Sequence, residues 1–211
     1  MIELKNVSLI IKHEKIIDNV SYRFIDNKIY GLQGRNGSGK SMLLSIIAGL
    51  TKPTAGSVQA DGAMLFKDRD FPESIGALIN TPGMINSMSG YDNLKLLAEI
   101  KNEIGDEEIS AYMERFSLDP RSRKHVRSYS LGMKQKLGII AAVMEHPHII
   151  LLDEPTNALD SRSIDVLNEV IKEEKAHGAL VIVTSHDKEE LQGISDIFLK
   201  MEDGKLHEEA K

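Results

Sequence analysis

Gly34-Arg35-Asn36-Gly37-Ser38-Gly39-Lys40-Ser41 is the stretch of this chain that decides the fold. It fits the pattern of glycine, four residues, then glycine, lysine and serine, in which a loop nests phosphate oxygens in backbone N–H groups at the start of a helix. Glycine is needed because the chain must turn tightly and approach an anion with no Cβ in the way. The flanks agree. Ile29, Tyr30 and Leu32 read as a short buried strand, and Met42 to Ala48 reads as an apolar helix that stops at Gly49. Strand, glycine loop and helix is the arrangement that such a loop requires. In that setting Gly34 to Met42 is the phosphate cradle, Lys40 reaches the β- and γ-phosphates, and the Ser41 hydroxyl sits on Mg²⁺. A glycine-rich turn with an incidental lysine is the plain alternative, and it leaves both flanking elements unexplained.

A second half of such a site lies far downstream. The apolar run Ile149-Ile150-Leu151-Leu152 ends in Asp153-Glu154. A carboxylate at the carboxyl edge of a parallel strand points into the crevice where open α/β sheets bind ligands. Asp153 is therefore expected to hold Mg²⁺ directly or through water, and Glu154 to polarise a water against the γ-phosphate. Taken alone, the pair has a lesser alternative as solvated turn residues before Pro155; beside the glycine loop it reads as a nucleoside triphosphate site.

Composition bounds the rest. A chain of 211 residues suggests one domain and a substantial core. With 26 basic and 32 acidic residues the formal charge is −6, which offers no global attraction to nucleic acid or anionic lipid. The absence of cysteine excludes disulfides, thiolate catalysis and cysteine-ligated metals, and suits a reducing compartment. Met1-Ile2-Glu3-Leu4-Lys5 has no basic flank leading into an apolar run, and no stretch has the length of a membrane span, so a soluble, intracellular protein is expected.

The chain changes character along its length. Ile2, Leu4 and Val7 open an extended segment, and Val20, Tyr22 and Phe24 alternate with Ser21 and Arg23, which predicts antiparallel strands beside the phosphate unit. From about 57 to 78 the pattern is again strand-like. From Tyr91 to Phe116 it turns helical, with Leu94, Leu97 and Ala98 on one face and Ile109, Tyr112, Met113 and Phe116 at three- and four-residue spacing. Leu137 to Met144 reads as a further buried helix ended by His146-Pro147, Leu180 to Val183 as another parallel strand, and Asp203-Gly204 as the turn of a terminal hairpin. The fold class is therefore α/β, a phosphate-loop core with a mainly parallel sheet, an N-terminal antiparallel β-subdomain and an inserted helical subdomain. The whole chain is expected to be one domain, with residues 1–79 and 146–211 forming the core and about 80–145 the insertion.

Ser130-Leu131-Gly132-Met133-Lys134-Gln135 lies between the helical insertion and the Asp153 strand, and Asn157-Ala158-Leu159-Asp160 follows Glu154. With the glycine loop, these segments resemble the ATP-binding cassette ATPases, the motor subunits of ABC transporters, over essentially the whole chain. The resemblance implies that Ser130 and Gly132 belong to a signature motif whose helix N-terminus completes the ATP site of a second subunit in a head-to-tail dimer. A serine hydroxyl and a positive helix end suit a γ-phosphate. It also implies that Asn157 to Asp160 is the loop through which paired sites sense each other, and that His186, within Thr184-Ser185-His186-Asp187, contacts the γ-phosphate. With Lys40, Ser41, Asp153, Glu154 and His186 all present, an active ATPase using ATP and Mg²⁺ is expected.

Three positions depart from the family pattern. Leu131 and Met133 replace the usual glycine and glutamine of the signature, a form that looks like the bacitracin- and lantibiotic-type exporter branch and points to peptide or drug export. Asn80, in Ile79-Asn80-Thr81-Pro82, stands for the glutamine that joins Mg²⁺, attacking water and membrane partner. It is one methylene shorter, so a bridging water is the plausible contact. Ile11 falls where many members stack an aromatic residue on adenine, which suggests loose base selectivity. With no membrane span, transport requires separate permease subunits, docked between core and insertion along Asn80 to Asn93, where Met84, Ile85, Met88 and Tyr91 offer an adaptable apolar surface or simply pack the insertion. The expected location is cytoplasmic, peripheral on the inner face of the membrane. No nucleic acid partner is expected: the basic run Arg121 to Arg127 lacks interleaved aromatics and reads as a solvated loop. The alternative, a soluble cassette working on nucleic acid or the ribosome, would want a long coiled coil or a second cassette, and only about 90 residues separate Lys40 from Ser130. A small-molecule phosphotransferase would leave the signature segment unexplained.

Overall fold

The computed structural model describes residues 1–209 of the 211. Its N-terminal strands change phase twice, and the two changes face each other. Strand β1 (Ile2–Ile11) buries Ile2 and Leu4 and then Val7 and Leu9; β2 (Glu14–Phe24) buries Ile17 and then Val20 and Phe24. A strict two-residue period would send the second set to solvent. Asn6 and Asn19, both left-handed with φ of 51° and 50°, absorb the extra residue, and the Asn6 side-chain amide donates to Asn19 Oδ1 at 3.1 Å. With β4 (Ala55–Ala60) and β5 (Ala63–Met64), named in chain order around β3 below, they form an antiparallel sheet in the order β2-β1-β4-β5. Residues 65–74 form no strand beyond a single bridge between Leu65 and Arg69, so the strand-like pattern expected from 57 to 78 is interrupted.

The central sheet runs β10-β9-β3-β8-β7-β6, built from β3 (Lys28–Gln33), β6 (Ile75–Leu78), β7 (Ile149–Asp153), β8 (Leu180–Ser185), β9 (Ile197–Glu202) and β10 (Lys205–Glu209). All its pairings are parallel except that of β9 with β10, which Asp203 and Gly204 join with φ of 47° and 75°. Every residue of β7 and β8 is buried, as strands covered on both faces must be. Ile149, Leu151, Leu180 and Ile182 face one core, shared with α1 (Lys40–Ile47) and the antiparallel sheet. Ile150, Leu152, Val181 and Val183 face the other.

That second core holds the helices. Between β6 and β7 the chain forms α2 (Gly90–Lys101), α3 (Asp106–Arg115) and α4 (Leu131–Val143); α5 (Ser161–Ala176) follows β7 and the short α6 (Lys188–Gln192) follows β8. Leu94, Ala98, Ile109, Met113 and Phe116 are buried there. Two expectations change. Leu97 is 37% exposed, unlike Leu94 and Ala98, because it borders an open groove with Pro82, Met84 and Ile100 instead of packing inward. Helix α4 begins at Leu131, six residues before Leu137, because Ser130 caps it by accepting from the Met133 amide at 3.2 Å.

Strand β6 and α4 approach so closely that a Cβ at Gly76 would fall inside the Ala142 carbonyl. Gly76→Ala must push the two elements apart, and overpacking of this kind costs about 1–3 kcal/mol. Thermal unfolding should show the melting temperature lowered by about 2–4 °C per kcal/mol for a chain of this size.

Candidate functional site

Register decides where the site forms. In the parallel ladder Gln33 pairs with Ser185 and Asp153 with Thr184, so β3, β8 and β7 end on one line. The glycine loop leaves β3 there, the Asp153-Glu154 pair leaves β7, and His186 leaves β8. Gly37 and Gly39 have φ of 81° and 106°, and Gly39 brings the chain into α1 with no side chain capping the helix. The amides of that first turn therefore face the loop's concavity, the positive end of the helix. Gly34 is packed so tightly that a Cβ would lie 2.5 Å from Ser38 Oγ and 2.6 Å from the Met201 carbonyl.

Lys40 is only 5% exposed, and its ammonium donates to the Gly34 carbonyl at 2.6 Å and meets Glu154 Oε1 at 3.2 Å. The other oxygen of Glu154 lies 2.9 Å from His186 Nδ1. Glu154 itself is left-handed, with φ of 48°. Thr184 holds this corner together: its hydroxyl donates to Asp153 Oδ1 at 2.7 Å and accepts from the Glu154 amide at 2.9 Å. A fully buried hydroxyl thus orients one carboxylate and fixes the backbone of the next. Its place at the end of an apolar strand opposite Asp153 was the available signal in the sequence, and it carries no assigned role there.

A cleft of about 610 Å³ opens over this corner, lined by Arg35, Asn36, Gly37, Gly39, Lys40, Ser41, Met42 and Glu154, with Ile11, Lys12, Glu14 and Ile16 on the far wall. Ile11 is 40% exposed and borders it. Ser38 Oγ is buried beside the loop with no hydrogen-bond partner. Uncapped helix amides, a buried ammonium and an orphaned hydroxyl together fit an oxyanion of phosphate type.

Asn80, Ser130 and Gly132 do not line this cleft. Asn80 is exposed, left-handed at φ 60°, and sits two residues past Leu78, whose ladder partner is Leu152; it therefore stands at the carboxyl end of the strand next to Asp153. Ser130 is exposed at the head of α4 and Leu131 beside it is 71% exposed. Gly132 is needed within the chain, because a Cβ there would lie 2.5 Å from the Ala158 carbonyl. Gln135 donates to the Pro155 carbonyl at 3.1 Å and the Glu154 carbonyl at 3.3 Å, and Lys136 meets Asp160 at 3.2 Å. Helix α4 and the loop after Glu154 are thus tied at three points. Asp160 caps α5; hydrogen bonds from the Ser163 hydroxyl and amide, then from Lys136, hold its carboxyl at about 2.

A profile of the ABC transporter family matches residues 17–157. The chain belongs to the ABC transporter family. The cassette is 42% identical to the uncharacterized ABC transporter ATP-binding protein YybJ of Bacillus subtilis, over 100% of this chain and 97% of that one. It is 33% identical to the bacitracin transport ATP-binding protein BcrA of Enterococcus faecalis, over 99% of this chain and 68% of that one. Its fold matches the dimeric, post-hydrolysis structure of the cassette MJ0796 bound to ADP and phosphate, with a TM-score of 0.88 and 26% identity over 99% of this chain and 98% of that one. The expected α/β cassette fold and the resemblance to the bacitracin branch are borne out, and the protein is an ABC transporter ATPase. Among the described residues no helix is long and apolar enough to cross a membrane.

The hydrogen bond to Glu154, followed by its charge, raises the pKa of His186 above the ordinary 6.5. A histidine whose pKa is raised by folding contributes stability that is fully present below its unfolded value and fades as pH climbs through the folded one. Side-chain NMR should place the His186 titration midpoint above 6.5, and Glu154→Gln should bring it back toward that value.

Proposed function

We propose that this cassette hydrolyses ATP with Glu154 as the base and works as a pair with a second cassette, driving export of a peptide- or drug-like compound through separate membrane permeases. The observation that carries the reading is the convergence of Lys40, Asp153, Glu154 and His186 at the ends of three adjacent strands above a phosphate-type cradle. Bound ATP and Mg²⁺ supply the transferable γ-phosphoryl group and the divalent charge that offsets its oxygens.

The residues of the chain divide the remaining work. The amides from Gly34 to Met42 bind the phosphate chain, and Lys40 gives up part of its pairing with Glu154 to a phosphate, which frees that carboxylate for water. Ser41 and Asp153 would hold the metal, with Asn80 within its outer shell. Glu154 takes the proton of the attacking water, and His186 orients the group and steadies charge at the γ-phosphate. Ser130 and Gly132, exposed or half-buried outside this cleft, serve the nucleotide of a partner cassette, in a homodimer or a heterodimer. The core of residues 1–79 and 146–211 carries the chemistry, and residues 80–145 carry the coupling. The groove of about 290 Å³ lined by Leu78, Pro82, Met84, Leu97 and Ile100 is the docking place for the permease. Its position supports the reading, as does the exposed Ile85 beside it, although Met84 and Tyr91 pack partly inward. On this reading the protein works at the cytoplasmic face of a membrane without crossing it. Kinship with a bacitracin transport protein supports the cargo class.

Glu154→Gln should retain ATP binding, lose about 10²–10⁴-fold in turnover, and accumulate as a nucleotide-bound dimer. Tagged Glu154→Gln protein recovered from detergent-solubilised membranes with ATP should bring an integral membrane subunit with it. Unchanged hydrolysis removes Glu154 from its role, and recovery of ribosomes or DNA-bound proteins alone removes the transport reading.

A further inference from the structure

At the end of the sheet opposite the phosphate loop, His146, Glu174 and His177 come together. His146 follows α4 just before β7 begins. Glu174 and His177 sit at the end of α5, where a Glu-x-x-His spacing places both on one face. Their ligand atoms all lie within 4.8 Å of one another. His146 Nδ1 is 2.8 Å from Glu174 Oε1, and the two imidazole rings stand edge to face with centroids 5.4 Å apart.

The carboxylate makes this more than a surface pair. Glu174 is 1% exposed, and its Oε2 is buried with no hydrogen-bond partner. Taking a carboxylate out of water is costly unless it is paired and its lone pairs are used. The contacts it has are modest: one imidazole, and the Tyr112 hydroxyl donating to Oε1 at 3.4 Å. Arg115, one helical turn along α3 from Tyr112, is committed instead to Glu173 at 2.6 and 2.7 Å. A cation among these three groups would satisfy the orphaned oxygen and bring the charge that the carboxylate lacks.

We propose that His146, Glu174 and His177 bind one divalent transition-metal ion of the Zn²⁺ class, with a fourth position left to water. Two imidazoles and one carboxylate suit a borderline ion and disfavour Mg²⁺, which demands oxygen ligands. Bonds of about 2.0–2.2 Å place tetrahedral ligands about 3.4 Å apart, so the ligand atoms must close by at most about 1.4 Å. Both histidines are exposed, so their rings have solvent to turn into, while Glu174 is held in the interior. The ion would tie the turn before β7 to the last turn of α5, and Tyr112 would hold the carboxylate from behind as an outer-shell partner.

The test uses tag-free, chelator-treated full-length protein without nucleotide or Mg²⁺, titrated with Co²⁺ and followed by its ligand-field absorption, then by displacement with Zn²⁺. One equivalent should bind with the intense bands of a four-coordinate site, and Zn²⁺ should bleach them and raise the melting temperature. Tyr112→Phe should weaken binding by about 10–100-fold, and His146→Asn or His177→Asn by more. Because His177 is exposed and does not pair with Glu174 in the metal-free protein, His177→Asn should melt with the parent in chelator, which separates loss of a ligand from loss of the fold. Absence of one-equivalent binding overturns the site, as does binding of equal affinity in the parent and both histidine variants.

Discussion

The in-register parallel alignment of β3, β8 and β7 is the constraint on which the rest of this cassette depends. Each pair of neighbours is locked by backbone hydrogen bonds between strands buried along their middles, and slipping one by a single residue would exchange the side chains it presents to the two cores. Because the register holds, three chain segments, the first more than a hundred residues before the other two, deliver an ammonium, two carboxylates and an imidazole to one point. Thr184 is the local expression of that alignment, since its hydroxyl can bridge Asp153 and Glu154 only from directly across the ladder. The cluster is self-neutralising: Lys40 and His186 flank the two oxygens of Glu154. A phosphate chain competing for Lys40 would alter the surroundings of Glu154 directly, without any larger movement of the fold.

A second linkage joins this corner to the head of α4. Gln135 reaches the carbonyls of Glu154 and Pro155, Gly132 lies under Ala158, and Lys136 pairs with Asp160. Such contacts make the signature segment and the loop after β7 move as one body. One of them, Gly132 against the Ala158 carbonyl, is a close approach that any side chain would break, so the glycine at 132 answers first to its own chain, whatever it does across a dimer. Leu131, by contrast, is largely solvent-exposed and has no such internal duty. The two central faces of the sheet are distinct cores, one binding the antiparallel strands and α1, the other the helices between β6 and β7. This separation leaves the apolar groove between β6, α2 and α4 as the border of the helical layer.

Local pattern made much of this legible. The glycine loop, the apolar strands, the Asp153-Glu154 pair and the terminal turn announce themselves because each depends on a backbone geometry or a periodicity confined to a few neighbouring residues. The places where pattern and structure differ are those where distant packing intervenes. The phase of β1 and β2 is reset by facing asparagines. Leu97 has helical spacing that fits a buried face, yet borders a groove because β6 and Pro82 stop short of covering it. Helix α4 starts six residues early because a serine cap outweighs the polar character of Gln135 and Lys136, whose side chains find partners in the next loop.

The sequence by itself determined that this is an α/β phosphate-loop protein of the ABC transporter ATPases, since those features are encoded in contiguous motifs with fixed spacing. The tertiary structure alone decided which atoms meet: that Glu154 lies between Lys40 and His186, that Thr184 holds the corner, that Gly132 is pinned by Ala158, and that a buried Glu174, one of its oxygens unsatisfied, comes together with two histidines. These depend on register and packing between segments far apart in the chain. No spacing along one segment records the distance between two of them.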